Sequence, residues 1–198
     1  QRIVDSEHHI VNAVGGDGGI VQPYSDTPLD NESVGENVYI EILNQAKTYV
    51  YIFTPYLVID NEMQTALCLA AKRGIDVRLV TPGIPDKKMV FKLTRSYYRA
   101  LLKAGVRIYE YTPGFIHAKS FLCDDQIGVV GTINMDYRSL YLHFECATLM
   151  LGCDALQGLK KDCLETFEQS KEVKAADMKK NFFSILFEGL LRFLSPML

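Results

Sequence analysis

Apolar and polar residues alternate in a way that divides most of the chain into strands and helices. Short apolar runs predict strands at 20–23, 49–53, 76–80 and 106–111. Apolar residues spaced three and four positions apart predict helices at 34–46, 60–72, 88–103 and 154–169. Because strands and helices alternate, the pattern predicts an α/β domain, a mixed β-sheet flanked by helices on both faces.

Helix ends support these boundaries. Asp60 is a plausible N-cap, since its carboxylate can accept a hydrogen bond from the first turn of the following helix. Gly105 follows the helix at 88–103 and suits the left-handed residue that often ends a helix. The face of the second helix expected to point inward consists of Met63, Ala66, Leu67 and Ala70.

The two ends of the chain differ in composition from the middle. Residues 1–19 are expected to form a flexible segment, because they end in a glycine-rich run without the Lys-Ser/Thr of a phosphate loop. Residues 20–170 are expected to form the folded domain. Residues 171–198 are expected to form an amphipathic helical tail, whose apolar stripe at 181–194 is flanked by Lys179, Lys180 and Arg192. Such a helix suits a membrane surface or a docking site on protein, and it is too short to span a bilayer.

Candidate chemistry concentrates at 117–134, where the chain reads H-x-K, four residues, D, six residues, G-T-x-N. If H-x-K is a strand, His117 and Lys119 lie on one face. An imidazole that is partly neutral at physiological pH can attack phosphorus, and the lysine charge can stabilise the phosphate oxygens. A hairpin through the apolar run 127–130 would return Thr132 and Asn134 to the same place as further phosphate ligands.

Glu145 opens the next predicted strand, at 145–151. A carboxylate bonded to the far nitrogen of the imidazole would fix the tautomer and stabilise the charged ring. Glu145 is therefore expected to be the partner of His117 and to raise the pKa of that ring.

This motif closely resembles that of the HKD phospholipase D superfamily and matches it at every fixed position. The flanking segments, among them Phe53-Thr54-Pro55-Tyr56 and Asn134-Met135-Asp136-Tyr137-Arg138-Ser139, resemble the C-terminal catalytic half of a bacterial cardiolipin synthase. The resemblance implies a phospholipase D-like α/β/α sandwich. It assigns His117 as nucleophile, Lys119, Thr132 and Asn134 as phosphate ligands, and Glu145 as the partner of the histidine. Asp124 is expected to form a structural ion pair, as are Asp136 and Arg138.

The resemblance also implies the reaction. Such enzymes join two phosphatidylglycerol molecules into cardiolipin and release glycerol through a phosphatidyl-histidine intermediate, with no metal or other cofactor. They carry two HKD motifs and an N-terminal membrane segment. This chain has one motif, so it is expected to be a fragment of a protein at the cytoplasmic face of the cell membrane. Its expected partners are phosphatidylglycerol, the missing N-terminal HKD half and the membrane surface.

The net charge and the cysteine content bear on the possible partners and on the redox state of the chain. A net charge of −3 gives no electrostatic footprint for nucleic acid, so no nucleic-acid partner is expected. The five cysteines lack paired spacing and are expected to be reduced thiols. Three other functions stay open: a single-motif phosphodiesterase that works as a homodimer, a phospholipase D that transfers to water, and a lipid-binding half without activity.

Overall fold

The computed structural model describes residues 19–30 and 32–178. Its main sheet has eight strands in the order β1-β9-β7-β6-β2-β4-β5-β10. The strands are β1 Ile20–Asp26, β2 Tyr49–Phe53, β3 Leu57–Val58, β4 Asp76–Pro82, β5 Arg107–Tyr111, β6 Ser120–Cys123, β7 Ile127–Gly131, β8 Met135–Asp136, β9 Glu145–Leu151 and β10 Ser170–Glu172. The helices are α1 Val34–Gln45, α2 Asn61–Lys72, α3 Lys88–Ala104, α4 Tyr137–Tyr141 and α5 Ala155–Glu168, followed by a 3₁₀ turn at Ala175–Met178.

The sheet is mixed and is covered on both faces. Strands β2, β4 and β5 run parallel, whereas β6, β7, β9 and β1 continue the sheet in antiparallel pairs. Alternate residues of β2 show the two layers: Val50 and Ile52 pack with α1, α2 and α3, while Tyr51 and Phe53 pack with α5. The predicted α/β/α sandwich, a mixed sheet with helices on both faces, is confirmed.

The predicted helix ends are also confirmed. The Asp60 carboxylate accepts a hydrogen bond from the Met63 amide at 2.9 Å and caps α2. Gly105 ends α3 with φ of 104°, a conformation that favours glycine. Residues on the predicted inner face of α2 are buried, with Met63, Leu67 and Ala70 fully inaccessible.

Several short elements are absent from the sequence-based prediction. Strands β3 and β8 form a second, two-stranded sheet, and α4 follows β8 directly. Strand β10 pairs with β5, and both Val173 and Met178 are buried in the core, so residues 171–178 pack on the domain instead of belonging to the predicted tail. The predicted tail helix over 181–194 and the N-terminal segment 1–18 lie outside the described residues. Across 19–30 and 32–178, the structure contains no helix that is long and apolar enough to cross a membrane.

Asp124 fastens the turn between β6 and β7 to the start of β2. Its carboxylate accepts hydrogen bonds from the backbone amides of Lys47 at 2.7 Å, Thr48 at 2.9 Å and Tyr49 at 2.8 Å. The prediction that Asp124 forms an ion pair was therefore wrong, because its hydrogen-bond partners among the described residues are backbone amides. Burial tends to raise the pKa of Asp124, but the amide donors outweigh it and the pKa is lowered.

Asp124→Asn is expected to lower the free energy of unfolding by about 1–3 kcal/mol at pH 7, because an amide nitrogen then faces backbone N–H donors. A lowered carboxyl pKa contributes stability that is present above the unfolded value and is lost as pH falls through the folded value. The difference from wild type should therefore shrink between pH 7 and pH 3 in urea unfolding. Asp162→Asn, at an exposed helix position, is the control. An unchanged stability at pH 7 for Asp124→Asn would contradict this assignment.

Candidate active site

The candidate active site lies where the carboxyl ends of parallel strands β2 and β4 meet the start of β6. Ser120, the first residue of β6, is opposite Phe53, the last residue of β2. Residues 117–119 come just before β6, so His117 and Lys119 are not within a regular strand as predicted. Crevices at the carboxyl ends of strands in α/β sheets commonly bind ligands.

His117 is exposed, and two aromatic rings stand near it. The centroid of its imidazole is 5.8 Å from that of Phe115 and 6.5 Å from that of Tyr56. Partial burial and the neighbouring Lys119 charge lower the pKa of His117. This shift favours the neutral ring, which is the form that can act as a nucleophile.

Lys119 reaches back to this ring. Its Nζ atom lies 2.9 Å from Nδ1 and 3.1 Å from Nε2 of His117, and it donates to the His117 carbonyl oxygen at 2.8 Å. The predicted placement of His117 and Lys119 beside each other is thus present.

Asn134, Ser139, Thr132 and Glu145 form one hydrogen-bonded network. The Asn134 amide donates to Ser139 Oγ at 3.0 Å, and Ser139 Oγ donates to a carboxylate oxygen of Glu145 at 2.8 Å. The Thr132 hydroxyl donates to the other oxygen of Glu145 and accepts from the Cys146 amide. The Asn134 carbonyl oxygen is buried without a hydrogen-bond partner among the described residues.

Glu145 therefore has partners other than the expected one. Its described hydrogen bonds are to Thr132 and Ser139, and His143 Nδ1 lies 3.9 Å from it. No hydrogen bond of the described residues joins it to His117. The expectation that Glu145 raises the pKa of His117 also fails, since that pKa is lowered. Sequence spacing placed Glu145 at the site but could not show which side chain it bonds.

One open groove of about 520 Å³ collects the predicted phosphate ligands. His117, Lys119, Thr132 and Asn134 all line it. Asp124 does not, because it follows the end of β6 whereas Lys119 precedes its start. Five of the six motif positions, Gly131 included, therefore line the groove, and the sixth, Asp124, holds the turn at the other end of the strand.

The other expected ion pair is absent as well. Asp136 caps α4 by accepting from the Ser139 amide at 2.9 Å, and it forms no ion pair with Arg138 in the part of the chain that the structure describes. Ser139 itself was missed as a site residue. The sequence signal for it was the D-x-x-S spacing at the start of α4. The capping Asp136 holds the backbone of Ser139, and the Ser139 hydroxyl lies next to Asn134.

Position 131 requires glycine because there is no room for a Cβ atom. A Cβ atom there would lie 2.4 Å from the Cys146 carbonyl oxygen and 2.5 Å from the Ala147 Cβ. Strands β7 and β9 pair at this point, with Gly131 opposite Ala147. The next residue, Thr132, depends on this close approach for its bonds to Glu145 and the Cys146 backbone.

Comparisons with known proteins show the family to which the chain belongs. The family model described as the phospholipase D-like domain of cardiolipin synthase matches residues 39–167. The chain belongs to this family. It is 39% identical over 184 residues to the cardiolipin synthase of Geobacillus kaustophilus, covering 92% of the chain and 36% of that protein. It is 58% identical over 181 residues to an uncharacterized protein of Streptococcus mutans, covering 91% of the chain and 39% of that protein.

Solved structures show the same fold. The phosphatidylserine synthase of Haemophilus influenzae aligns with a TM-score of 0.72 at 17% identity, over 92% of this chain and 46% of that one. The phospholipase D family member Nuc of Salmonella typhimurium aligns with a TM-score of 0.68 at 16% identity, over 79% of this chain and 99% of that one. The chain spans 36–39% of the length of the curated relatives named above.

Lys119→Gln is expected to raise the pKa of His117 toward its usual value near 6.5, because it removes a cation beside the ring. Titration of the imidazole signals by NMR measures this change. Lys103→Gln, near the far end of α3, should leave the His117 pKa as in wild type. A lower or unchanged His117 pKa in Lys119→Gln would show that the two side chains do not interact in solution.

Proposed function

We propose that this chain is the C-terminal catalytic half of a cardiolipin synthase, which transfers a phosphatidyl group between two phosphatidylglycerol molecules and releases glycerol. The observation that supports it most directly is the groove that brings His117 and Lys119 together with Thr132 and Asn134. Membership of the cardiolipin synthase family supports a phospholipid as the substrate class.

In the first step, His117 attacks the phosphorus of one phosphatidylglycerol. A P–N bond forms, the P–O bond to the headgroup glycerol breaks, and the glycerol oxygen takes a proton from a general acid. That acid is the histidine of a second HKD half. In the second step, the hydroxyl of another phosphatidylglycerol attacks the same phosphorus, the P–N bond breaks, and the hydroxyl proton passes to the second histidine.

Lys119 and Asn134 stabilise the phosphate oxygens during both steps. The Lys119 ammonium already lies in the groove, and its pKa is lowered by burial, while Glu145 and Asp136 oppose that shift and favour the charged form. Glu145 acts as a positioning residue. Its oxygens hold the hydroxyls of Thr132 and Ser139, and Ser139 in turn orients the Asn134 amide.

The lipid substrate and the second half imply two further contacts, with a membrane at the cytoplasmic face and with protein. Exposed apolar side chains near the site support a lipid-facing or protein-facing surface; they include Ile84, Met89, Phe115, Leu142 and Phe144. We propose that the stripe at 181–194 adds to the membrane contact. A homodimer of single-motif chains is the alternative assembly, and the mass in solution separates it from a half that needs a different partner.

In the full-length synthase, His117→Ala is expected to abolish cardiolipin formation, because no nucleophile remains at phosphorus. Lys119→Ala should reduce the rate about 100- to 1,000-fold, the usual cost of one donor to a transition-state oxygen. Cardiolipin production from phosphatidylglycerol vesicles measures both effects, and Lys103→Ala is the matched control. Wild-type turnover by His117→Ala, with its melting temperature unchanged, would exclude the proposed nucleophile.

The isolated chain is expected to fold but to show little transferase activity, because one proton-transfer histidine is missing. Loss of a positioned acid or base costs about 100- to 10,000-fold in rate. Light scattering and the vesicle assay should be run on the same sample. Rapid cardiolipin formation by a monomer would disprove the need for a second half, and the same activity in a dimer would favour the homodimeric enzyme.

A further inference from the structure

A second cavity lies next to the catalytic groove, and its ligand is assigned neither by the motif nor by the comparisons. Its volume is about 200 Å³. Asn134 lines both this cavity and the groove that contains His117. A molecule in the second cavity is therefore adjacent to the phosphate site.

The wall of this cavity is partly apolar and its edge is cationic. Buried Val58 and Leu93 form the wall together with half-buried Val90. Three nitrogen-bearing side chains stand among the exposed lining residues: Lys87, Arg138 and His143. The combination suits a ligand with an anionic group and a short apolar or glycerol part.

The two permanent cations of the cavity have no carboxylate partner among the described residues. Neither Lys87 nor Arg138 forms an ion pair with any residue at 19–30 or 32–178. Lys87 Nζ lies 5.9 Å from the centre of the Tyr56 ring, close to the cavity. The carboxylate among the lining residues is Asp136, whose Oδ1 is engaged by the Ser139 amide. Burial raises the pKa of Asp136.

We propose that this cavity binds the headgroup phosphate of the acceptor phospholipid, with Lys87 and Arg138 as its ligands. The inference rests on the proposed transferase function and identifies where the second substrate binds. An acceptor phosphatidylglycerol carries its own phosphodiester, which must be neutralised while its free hydroxyl reaches the phosphorus on His117. Lys119 and Asn134 are occupied by the phosphate that reacts, so the second phosphate needs separate cations.

The size of the cavity agrees with this role. About 200 Å³ is less than the roughly 300–1,000 Å³ of sites that enclose drug-sized ligands, so it suits a headgroup and not a whole lipid. Holding the acceptor alcohol beside the phosphatidyl-histidine also disfavours water as the acceptor. In the transfer step, the P–N bond to His117 breaks, the P–O bond to the acceptor hydroxyl forms, and its proton passes to the second histidine.

The two histidines near the site allow the two cavities to be monitored separately. His117 lines the groove and His143 lines the second cavity. Imidazole NMR signals of the chain should be followed while adding monomeric dihexanoyl phosphatidylglycerol, dihexanoyl phosphatidylcholine or inorganic phosphate. The expected result is saturable movement of the His143 signal with phosphatidylglycerol, and weaker binding of both phosphatidylcholine and free phosphate.

The double variant Lys87→Gln/Arg138→Gln should weaken phosphatidylglycerol binding at His143 about 10- to 100-fold, the effect of losing charged hydrogen bonds. Lys103→Gln is the matched control. Arg138→Lys, which keeps the positive charge, should keep part of the affinity that the double variant loses. Unaltered binding in the double variant, together with an intact backbone spectrum, overturns the proposal. Equal responses to phosphatidylglycerol and phosphatidylcholine also overturn it.

The catalytic proposal is tested independently by inorganic phosphate at His117, a response that Lys119→Gln should remove. In the wild-type chain, a His117 response to phosphate without any His143 response to phosphatidylglycerol rejects the acceptor site and leaves the catalytic site standing. In the full-length synthase, the double variant should release more phosphatidic acid relative to cardiolipin, because water replaces the poorly bound acceptor. An unchanged ratio of these two products counts against acceptor binding in this cavity.

Discussion

Strand β2 pairs in parallel with β4 on one side and antiparallel with β6 on the other, and this change of direction determines where the site lies. Because β6 runs opposite to β2, the residues that precede β6 meet the residues that follow β2. His117 and Lys119 therefore come to lie near Tyr56 at one end of the strand pair. At the other end the Asp124 carboxylate holds the backbone at the start of β2, so the motif secures both ends of the same pairing.

A single carboxylate organises the polar side of the groove. The Glu145 side chain is only 9% exposed, and its two oxygens accept from two different hydroxyls. Hydrogen bonds to an ionised acceptor are short and strong, so Thr132 and Ser139 have little rotational freedom. Ser139 accepts a hydrogen bond from the Asn134 amide and so orients it, although Asn134 itself is not hydrogen-bonded to Glu145 in the described structure. The Asn134 amide, a proposed phosphate ligand, is thus oriented by the folded protein in advance.

The long elements could be predicted because their apolar periodicity and their caps agree. Asp60 and Gly105 mark helix ends through local backbone chemistry, which does not depend on the rest of the fold. Strands β3 and β8 have two residues each, too few for any period to be visible. The partner of Glu145 depends on how β9 approaches the segment after β7, and the second cavity joins residues from distant parts of the chain. Such tertiary relations have no counterpart in spacing along the sequence.

The close approach of β7 and β9 at Gly131 limits which side chains fit at this position of the motif. This glycine is not one of those with positive φ, so its backbone could be adopted by alanine without conformational strain. The obstacle is the neighbouring strand, whose backbone atoms would be within 2.7 Å of an added methyl group. Any larger residue would force the two strands apart and carry Thr132 away from its acceptor. The glycine therefore sets the separation between the two strands and serves as a spacer of minimum thickness beside Thr132.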